Sequence, residues 1–351
     1  MQRRIDKICF LPKEGIANPF QVLMMEGLRE RGFDVSYGLS KRFFSILFTW
    51  VSKKPDWIHL DWLYTFYSVN LPAPFKWMAL YWFHFQLFFI NRLTKCKIGY
   101  TLHNLERHEF YEPKIDDKAQ TLAFKYADFI RVFNKRTIEK VSEKWKDVDV
   151  SKFYVQPEGS YVNYYPNEIN ASTAHTYFGY KPEDFVILCF GSIRPYKGVM
   201  ELIDGFIKYR ENNWKLLIAG YPFDKLYANE IVEKCKDNLD IKIVLGHQPE
   251  DELQYFFNAC NVVVCPFKQI ENSGSVILAM GFKKPVIAPN NGVVKYRLKE
   301  QSQLLFNESV SEVLIPIKNM EPCELEKIGQ KNFEEVERYQ WKDFAKLFNP
   351  K

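Results

Sequence analysis

The chain has 351 residues, a length that suggests two domains, and its 47% hydrophobic and 26% charged residues exclude a disordered or fibrous protein. A formal net charge of +5 is too weak to argue for a nucleic-acid partner, but it is unevenly spread. Residues 1–165 hold 25 basic and 18 acidic residues, and residues 166–351 hold 23 and 25. Along the chain, strands are expected at Ile8–Leu11, Asp34–Tyr37, Trp57–Leu60, Ile98–Leu102, Phe129–Val132 and Phe153–Val155. Helical patterns lie between them at Pro19–Arg31, Phe75–Leu93 and Lys118–Tyr126. The scheme then repeats, with strands at Phe185–Phe190, Lys215–Ala219, Ile241–Leu245, Val262–Cys265 and Pro285–Ala288. The second set of helices falls at Gly198–Arg210, Asp224–Lys236, Glu250–Ala259 and Ser275–Phe282.

Alternation of this kind needs crossover connections, hence parallel sheets covered on both faces. Two sets predict an α/β chain with two Rossmann-like, doubly wound domains facing a cleft. The first spans 1–165 and the second 166–335, joined near the polar stretch Tyr161–Glu183. A closing helical segment, 336–351, returns toward the first domain. The seven scattered cysteines form no CxxC pair and read as buried thiols in a reducing cytosol. The opening residues lack an apolar stretch of signal-peptide length. The most apolar run, Trp77–Ile90, has 14 residues, short of the roughly 20 that a membrane span needs. A cytoplasmic protein is the expectation.

Three motifs carry chemistry. Phe190–Gly198, FGSIRPYKG, leaves a strand and opens a helix. Gly191 permits a close turn, and Arg194 and Lys197 put two cations beside a helix N-terminus, a setting suited to a diphosphate. The P-loop and dinucleotide patterns are both absent. Glu271–Pro289 opens with Asn272, Ser273 and Gly274 ahead of an apolar helix, which reads as an N-cap, an anion site, or both. Tyr100–Phe110, YTLHNLERHEF, places His103 just past a strand end, with Asn104, Glu106, His108 and Glu109 nearby. HNLERHE is not a zinc-binding HExxH, and no metal site is expected.

In order along the chain, IANPFQVLMMEGLRERGFDV, WIHLDW, TLHNLERHE, VQPEGSYVNYYPN, FGSIRPYKG and SGSVILAMGFKKPVIAP together resemble a GT-B glycosyltransferase of the family-four, "group 1" type. The resemblance covers nearly the whole length. It implies a nucleotide-sugar donor held by the second domain and a glycan or lipid-linked acceptor held by the first. By position, Arg194 and Lys197 would hold the donor diphosphate, helped by Ser273 and Gly274. Asn18 and Pro19 would shape a loop facing the donor, and His103 would lie near the transferred sugar. The chain departs from the family where two glutamates usually stand. Leu278 takes the second place and Ile270 the first, unless a one-residue slip brings in Glu271. Stereochemistry is therefore open, and an inverting enzyme would draw its base from Asp61, His103 and Glu106. No DxD-type pair accompanies the phosphate motifs, so a metal-independent reaction with no cofactor is expected. A catalytically silent subunit bound to a partner transferase and a nucleotide-sugar epimerase are the rival readings.

Arg42–Lys54 and Phe75–Lys97 mix large apolar residues with basic flanks. They read as helices packed on a sheet, or as a peripheral contact with the inner face of the membrane.

Overall fold

The computed structural model describes residues 5–13, 19–68, 72–106, 112–268 and 273–348. The chain divides into two compact units, Met1–Glu158 with Gln340–Lys351, and Gly159–Tyr339. Each is built on a six-stranded parallel sheet, so the α/β, doubly wound class inferred from the alternating pattern is the one observed.

In the first unit the strands are β1 (Lys7–Leu11), β2 (Asp34–Tyr37), β3 (Trp57–Leu60), β4 (Lys97–Thr101), β5 (Phe129–Val132) and β6 (Phe153–Val155), ordered β2-β1-β3-β4-β5-β6. Every residue of β3 and β5 is buried, as expected of strands covered on both faces. The final segment closes one side of this sheet. Phe344 and Phe348 lie 5.1 and 6.0 Å from the His59 ring, and Phe348 lies 5.1 Å from Phe129. Both phenylalanines are fully buried, each worth about 1.5–3 kcal/mol relative to an exposed ring.

Arg131, inside β5, is also buried. Its guanidinium donates to the carbonyls of Gln156 and Pro157 at 2.9 and 3.0 Å, anchoring the chain where it leaves β6. The Phe133 and Phe344 rings cover the guanidinium at 5.0 and 4.9 Å.

The second unit contains β7 (Phe185–Phe190), β8 (Trp214–Gly220), β9 (Ile241–Leu245), β10 (Val262–Val264), β11 (Val286–Pro289) and β12 (Leu305–Phe306), ordered β12-β11-β10-β7-β8-β9. The two-residue β12 is too short to leave a pattern in the sequence. Helices Lys135–Lys144 and Ala171–Phe178 also escape the apolar-period reading. The first presents only Ile138 and Val141 as large apolar residues and is defined by its cap, Asn134 Oδ1 accepting the Thr137 N–H at 3.0 Å.

Candidate functional site

In the second unit, two of the expected motifs meet at the carboxyl ends of the strands. Gly191 ends β7 with φ +129°, and its N–H donates to the Ala219 carbonyl at 3.0 Å. A Cβ on Gly191 would lie 2.8 Å from Ser275 Oγ, which brings the loop after β7 against the start of helix Gly274–Gly281. A Cβ on Gly220, at the end of β8, would collide with the Gly191 carbonyl oxygen at 1.6 Å, so both strand ends are stripped of side chains. Gly198 follows the short 3₁₀ turn Pro195–Lys197 in the left-handed region, φ +71°, and a Cβ there would meet the Pro266 carbonyl oxygen at 2.0 Å. The loop after β10 is thus pressed onto the loop after β7, and the Lys268 N–H donates to the Tyr196 carbonyl at 3.1 Å.

Ser273 caps helix Gly274–Gly281, its Oγ accepting the Val276 N–H at 3.3 Å. The cap uses one of the first-turn donors and leaves others pointing out of the helix end. Leu278, where the family pattern has a glutamate, is buried on this helix. Glu271, Asn272 and, in the first unit, Asn18 lie outside the described residues.

Arg194 and Lys197 are both braced by aromatic rings. The Arg194 guanidinium lies 3.8 Å over Phe223, and Lys197 Nζ lies 3.8 Å over Phe267. Burial depresses the Lys197 ammonium to about 8, only partly countered by the Cys265 and Cys189 thiols, and Arg194 lowers it further. This edge therefore holds a cation that its surroundings disfavour. Phe223, Phe267 and Gly220 are not marked by any motif in the sequence, because each comes from a segment remote from FGSIRPYKG, whereas Ser275 lies inside the Glu271–Pro289 motif.

In the first unit, Asp61 and His103 come together. Asp61 follows β3 and His103 follows β4, neighbouring parallel strands. Asp61 Oδ1 accepts from His103 Nε2 at 3.0 Å, and Oδ2 accepts from Gln21 Nε2 at 2.7 Å. His59 Nε2 stands 3.7 Å from the same Oδ1 and pairs instead with Thr101 Oγ1 at 2.8 Å. Burial alone would raise the Asp61 carboxyl. The His103 hydrogen bond and the nearby His59 outweigh it and hold the carboxyl well below the usual range. Burial lowers His59, opposed by its contact with and charge attraction to Asp61. The His103 ring stacks on Trp62 at 4.4 Å and 18°, with Phe20 and Phe133 at 5.1 and 5.7 Å. Glu106 makes a different contact, an exposed pair with Lys144 at 2.9 Å. His108 and Glu109 lie outside the described residues.

A second feature of the first unit is an apolar outer surface. Helix Ala73–Leu93 buries Leu80, Phe83, Leu87 and Ile90, yet its outward stripe is Met78, Tyr81, Phe85 and Phe88, with Met78 and Tyr81 64% and 67% exposed. A surface helix normally turns polar residues outward. Exposed Phe44, Phe48 and Val51, on and just before helix Ser45–Lys53, extend the surface, with Phe44 5.1 Å from Trp82. Neither Arg42–Lys54 nor Phe75–Lys97 contains an acidic residue. A pocket of about 620 Å³ at the ends of these helices is lined by Trp50, Val51 and Leu93 together with Lys54 and Lys95. No helix among the described residues is long and apolar enough to cross a membrane.

Residues 175–315 match the model of glycosyl transferases group 1. The chain is 26% identical over 278 residues to a GDP-mannose:glycolipid 4-beta-D-mannosyltransferase of Xanthomonas campestris pv. campestris, covering 78% of this chain and 70% of that one. Among solved structures it is similar to Anabaena Alr3699/HepE in complex with UDP and glucose, with a TM-score of 0.73 at 17% identity over 98% of each chain. It is also similar to WaaG, a glycosyltransferase involved in lipopolysaccharide biosynthesis, with a TM-score of 0.67 at 14% identity, covering 98% of this chain and 100% of that one. The shared fold is GT-B, two Rossmann-like units.

Proposed function

We propose that this chain, a glycosyltransferase of the GT-B fold with a group 1 domain in its second unit, moves a sugar from a nucleotide-diphosphate donor onto a glycan or lipid-linked acceptor in cell-surface polysaccharide or glycolipid synthesis. The observation that carries the reading is the meeting of Gly191 and Ser275. It sets the Arg194 and Lys197 loop against a helix N-terminus at the carboxyl edge of a parallel sheet, the edge where open α/β sheets bind ligands.

In this reading Arg194, Lys197 and the N–H groups of Ser273 and Gly274 hold the diphosphate. As the sugar departs, negative charge grows on the diphosphate, and fixed cations stabilise that state more than the bound donor. No metal or other cofactor takes part, because the two side chains supply the neutralisation. His103 and Asp61 serve the acceptor on the first unit. The named relatives extend the donor panel to GDP-mannose and UDP-sugars.

The apolar surface of the first unit suits a cytoplasmic enzyme resting on the inner face of the membrane, where a lipid-linked acceptor is found. Large rings enter the interface and Lys41, Lys54, Arg92 and Lys95 meet anionic headgroups.

The test is release of nucleoside diphosphate from a panel of nucleotide sugars, with and without membrane extract as acceptor source. Transfer requires acceptor-dependent release. A silent subunit would release none, and an epimerase would convert the donor without releasing nucleotide. Either result would replace the proposal.

A further inference from the structure

We infer that the pocket where helices Ser45–Lys53 and Ala73–Leu93 end binds one anionic phospholipid, its phosphate held by Lys54 and Lys95 and its acyl chain laid on a track of aromatic rings along the two helices. The inference rests on the membrane contact proposed above and narrows it from a surface to a site for a single molecule.

The pocket's volume of about 620 Å³ lies inside the range of small-molecule sites, roughly 300–1,000 Å³. Its lining has the two parts that an amphiphile needs. Trp50, Val51 and Leu93 give an apolar wall, and Lys54 and Lys95 give two cations. Both lysines are exposed, and neither has an ion pair or a side-chain hydrogen bond among the described residues. The other basic residues here have work within the fold. Lys53 Nζ donates to the Tyr37 carbonyl at 2.7 Å. Lys53 and Arg92 also occupy the last turns of their helices, where they answer the partial negative charge of the helix ends. Asp56, which lines the pocket too, turns Oδ2 to the Lys7 N–H at 2.9 Å. Lys54 ends the first helix in the left-handed region, φ +45°, a place where glycine is the usual residue. The chain thus keeps a cation at the pocket where the backbone would favour no side chain at all.

From Trp50 a line of rings leads away along the helices. Trp50 meets Phe89 at 5.4 Å, Phe89 meets Phe85 at 6.1 Å, Phe85 meets Trp82 at 5.2 Å, and Trp82 meets Phe44 at 5.1 Å. Trp50, Trp82 and Phe89 are half-buried, and Phe44 and Phe85 are exposed. Between residues 82 and 89 the helix rises about 10 Å, room for several methylenes of an acyl chain. Beneath the rings, the buried Gln86 amide donates to the Phe43 carbonyl at 2.7 Å and accepts the Leu47 N–H at 3.3 Å, which ties the second helix to the start of the first.

Charge and shape select the occupant. A free phosphate would use the lysines and leave the apolar wall and the rings idle. A neutral lipid would use the rings and leave both lysines without a counter-charge. A bilayer lipid with an anionic headgroup uses both.

The experiment uses the full chain in solution with dihexanoyl-phosphatidylglycerol below its micelle concentration, followed by calorimetry. Dihexanoyl-phosphatidylcholine and inorganic phosphate are the comparisons. One saturable site for the phosphatidylglycerol is expected, with weaker binding of the other two. Lys54→Gln together with Lys95→Gln should weaken it roughly thirtyfold, the loss expected for two lysines beside an anionic headgroup. Leu93→Ser should weaken it through the apolar wall. All three side chains are exposed, so the melting temperatures of these variants should stay close to that of the wild type. Phosphate or phosphatidylcholine binding as tightly as phosphatidylglycerol, or a folded double variant that keeps the native affinity, overturns the inference. The absence of a saturable site in a protein that still floats with phosphatidylglycerol vesicles overturns it as well and leaves the surface contact standing. Neither binding nor flotation removes both.

Discussion

Lys197 Nζ sits 3.8 Å from the centre of the Phe267 ring, although the two residues come from the ends of different strands, β7 and β10. The lysine is half-buried there, with the ring taking the place of part of its water. Its depressed value, about 8 against 10.5, means that the folded protein binds fewer protons than the unfolded chain between those values. Stability therefore rises as pH climbs from 8 to 10.5, and the full cost of the buried charge is present below 8.

Lys197→Met should accordingly raise the melting temperature at pH 7 by about 2–4 °C, the shift expected for roughly 1 kcal/mol in a unit of this size. The same variant should lose about a hundred- to thousandfold in transfer rate. In the wild type, nucleoside-diphosphate affinity should fall between pH 7 and pH 9 as the amine loses its proton. Calorimetric titration at the two pH values and melting curves of the two proteins check both parts. A destabilised Lys197→Met variant would mean that the lysine packs as part of the fold.

Two glycines with nearly the same backbone separate strain from contact. Gly179 and Gly198 have φ of +73° and +71°, but a Cβ on Gly179 meets nothing within 4 Å, whereas one on Gly198 meets the Pro266 carbonyl oxygen at 2.0 Å. Gly179→Ala should cost about 1–2 kcal/mol from its left-handed conformation alone. Gly198→Ala should cost clearly more and weaken nucleotide binding, because the loops after β7 and β10 must separate. Equal losses in denaturant melts would remove the close approach from the account.

Metal dependence has a simple readout. With Arg194 and Lys197 as the neutralising groups, activity should survive EDTA and should not rise when magnesium or manganese is added. Loss with EDTA and recovery with either cation would transfer the charge-stabilising role to a metal.

The apolar surface on the first unit predicts binding to vesicles containing phosphatidylglycerol, weakening as salt screens the basic flanks. Replacing Met78, Tyr81 and Phe85 together by serine should abolish flotation with little effect on the melting temperature, because all three side chains face outward. Undiminished flotation of the triple variant would assign the contact to another surface.

The sheets were legible because parallel strands buried on both faces leave continuous apolar runs, such as VILCF in β7 and VVV in β10. Helix Lys135–Lys144 was not, because its start depends on the Asn134 cap more than on an apolar stripe. At the candidate sites, residue types and strand ends pointed to His103, Asp61, Arg194 and Lys197. Their partners did not announce themselves. The Asp61–His103 bond depends on the register of β3 and β4, and the Ser275 contact depends on a glycine that leaves room for it. Gln21 lies on the helix after β1 and carries no motif of its own. Pairings across a sheet edge follow from topology, which spacing along the chain does not encode.

In the proposed reaction the loop from Gly191 to Gly198 holds the donor diphosphate. Its most direct test is a thermal-shift titration with UDP, GDP and their sugar conjugates on the wild type and on an Arg194→Ala, Lys197→Ala double variant. A ligand of the native state raises stability by mass action, about 2.7 kcal/mol at a hundred times its dissociation constant. A diphosphate held by this loop should give a concentration-dependent rise for at least one nucleotide in the wild type and its loss in a folded double variant. An equal rise in both proteins, or none with any nucleotide in the wild type, would contradict it.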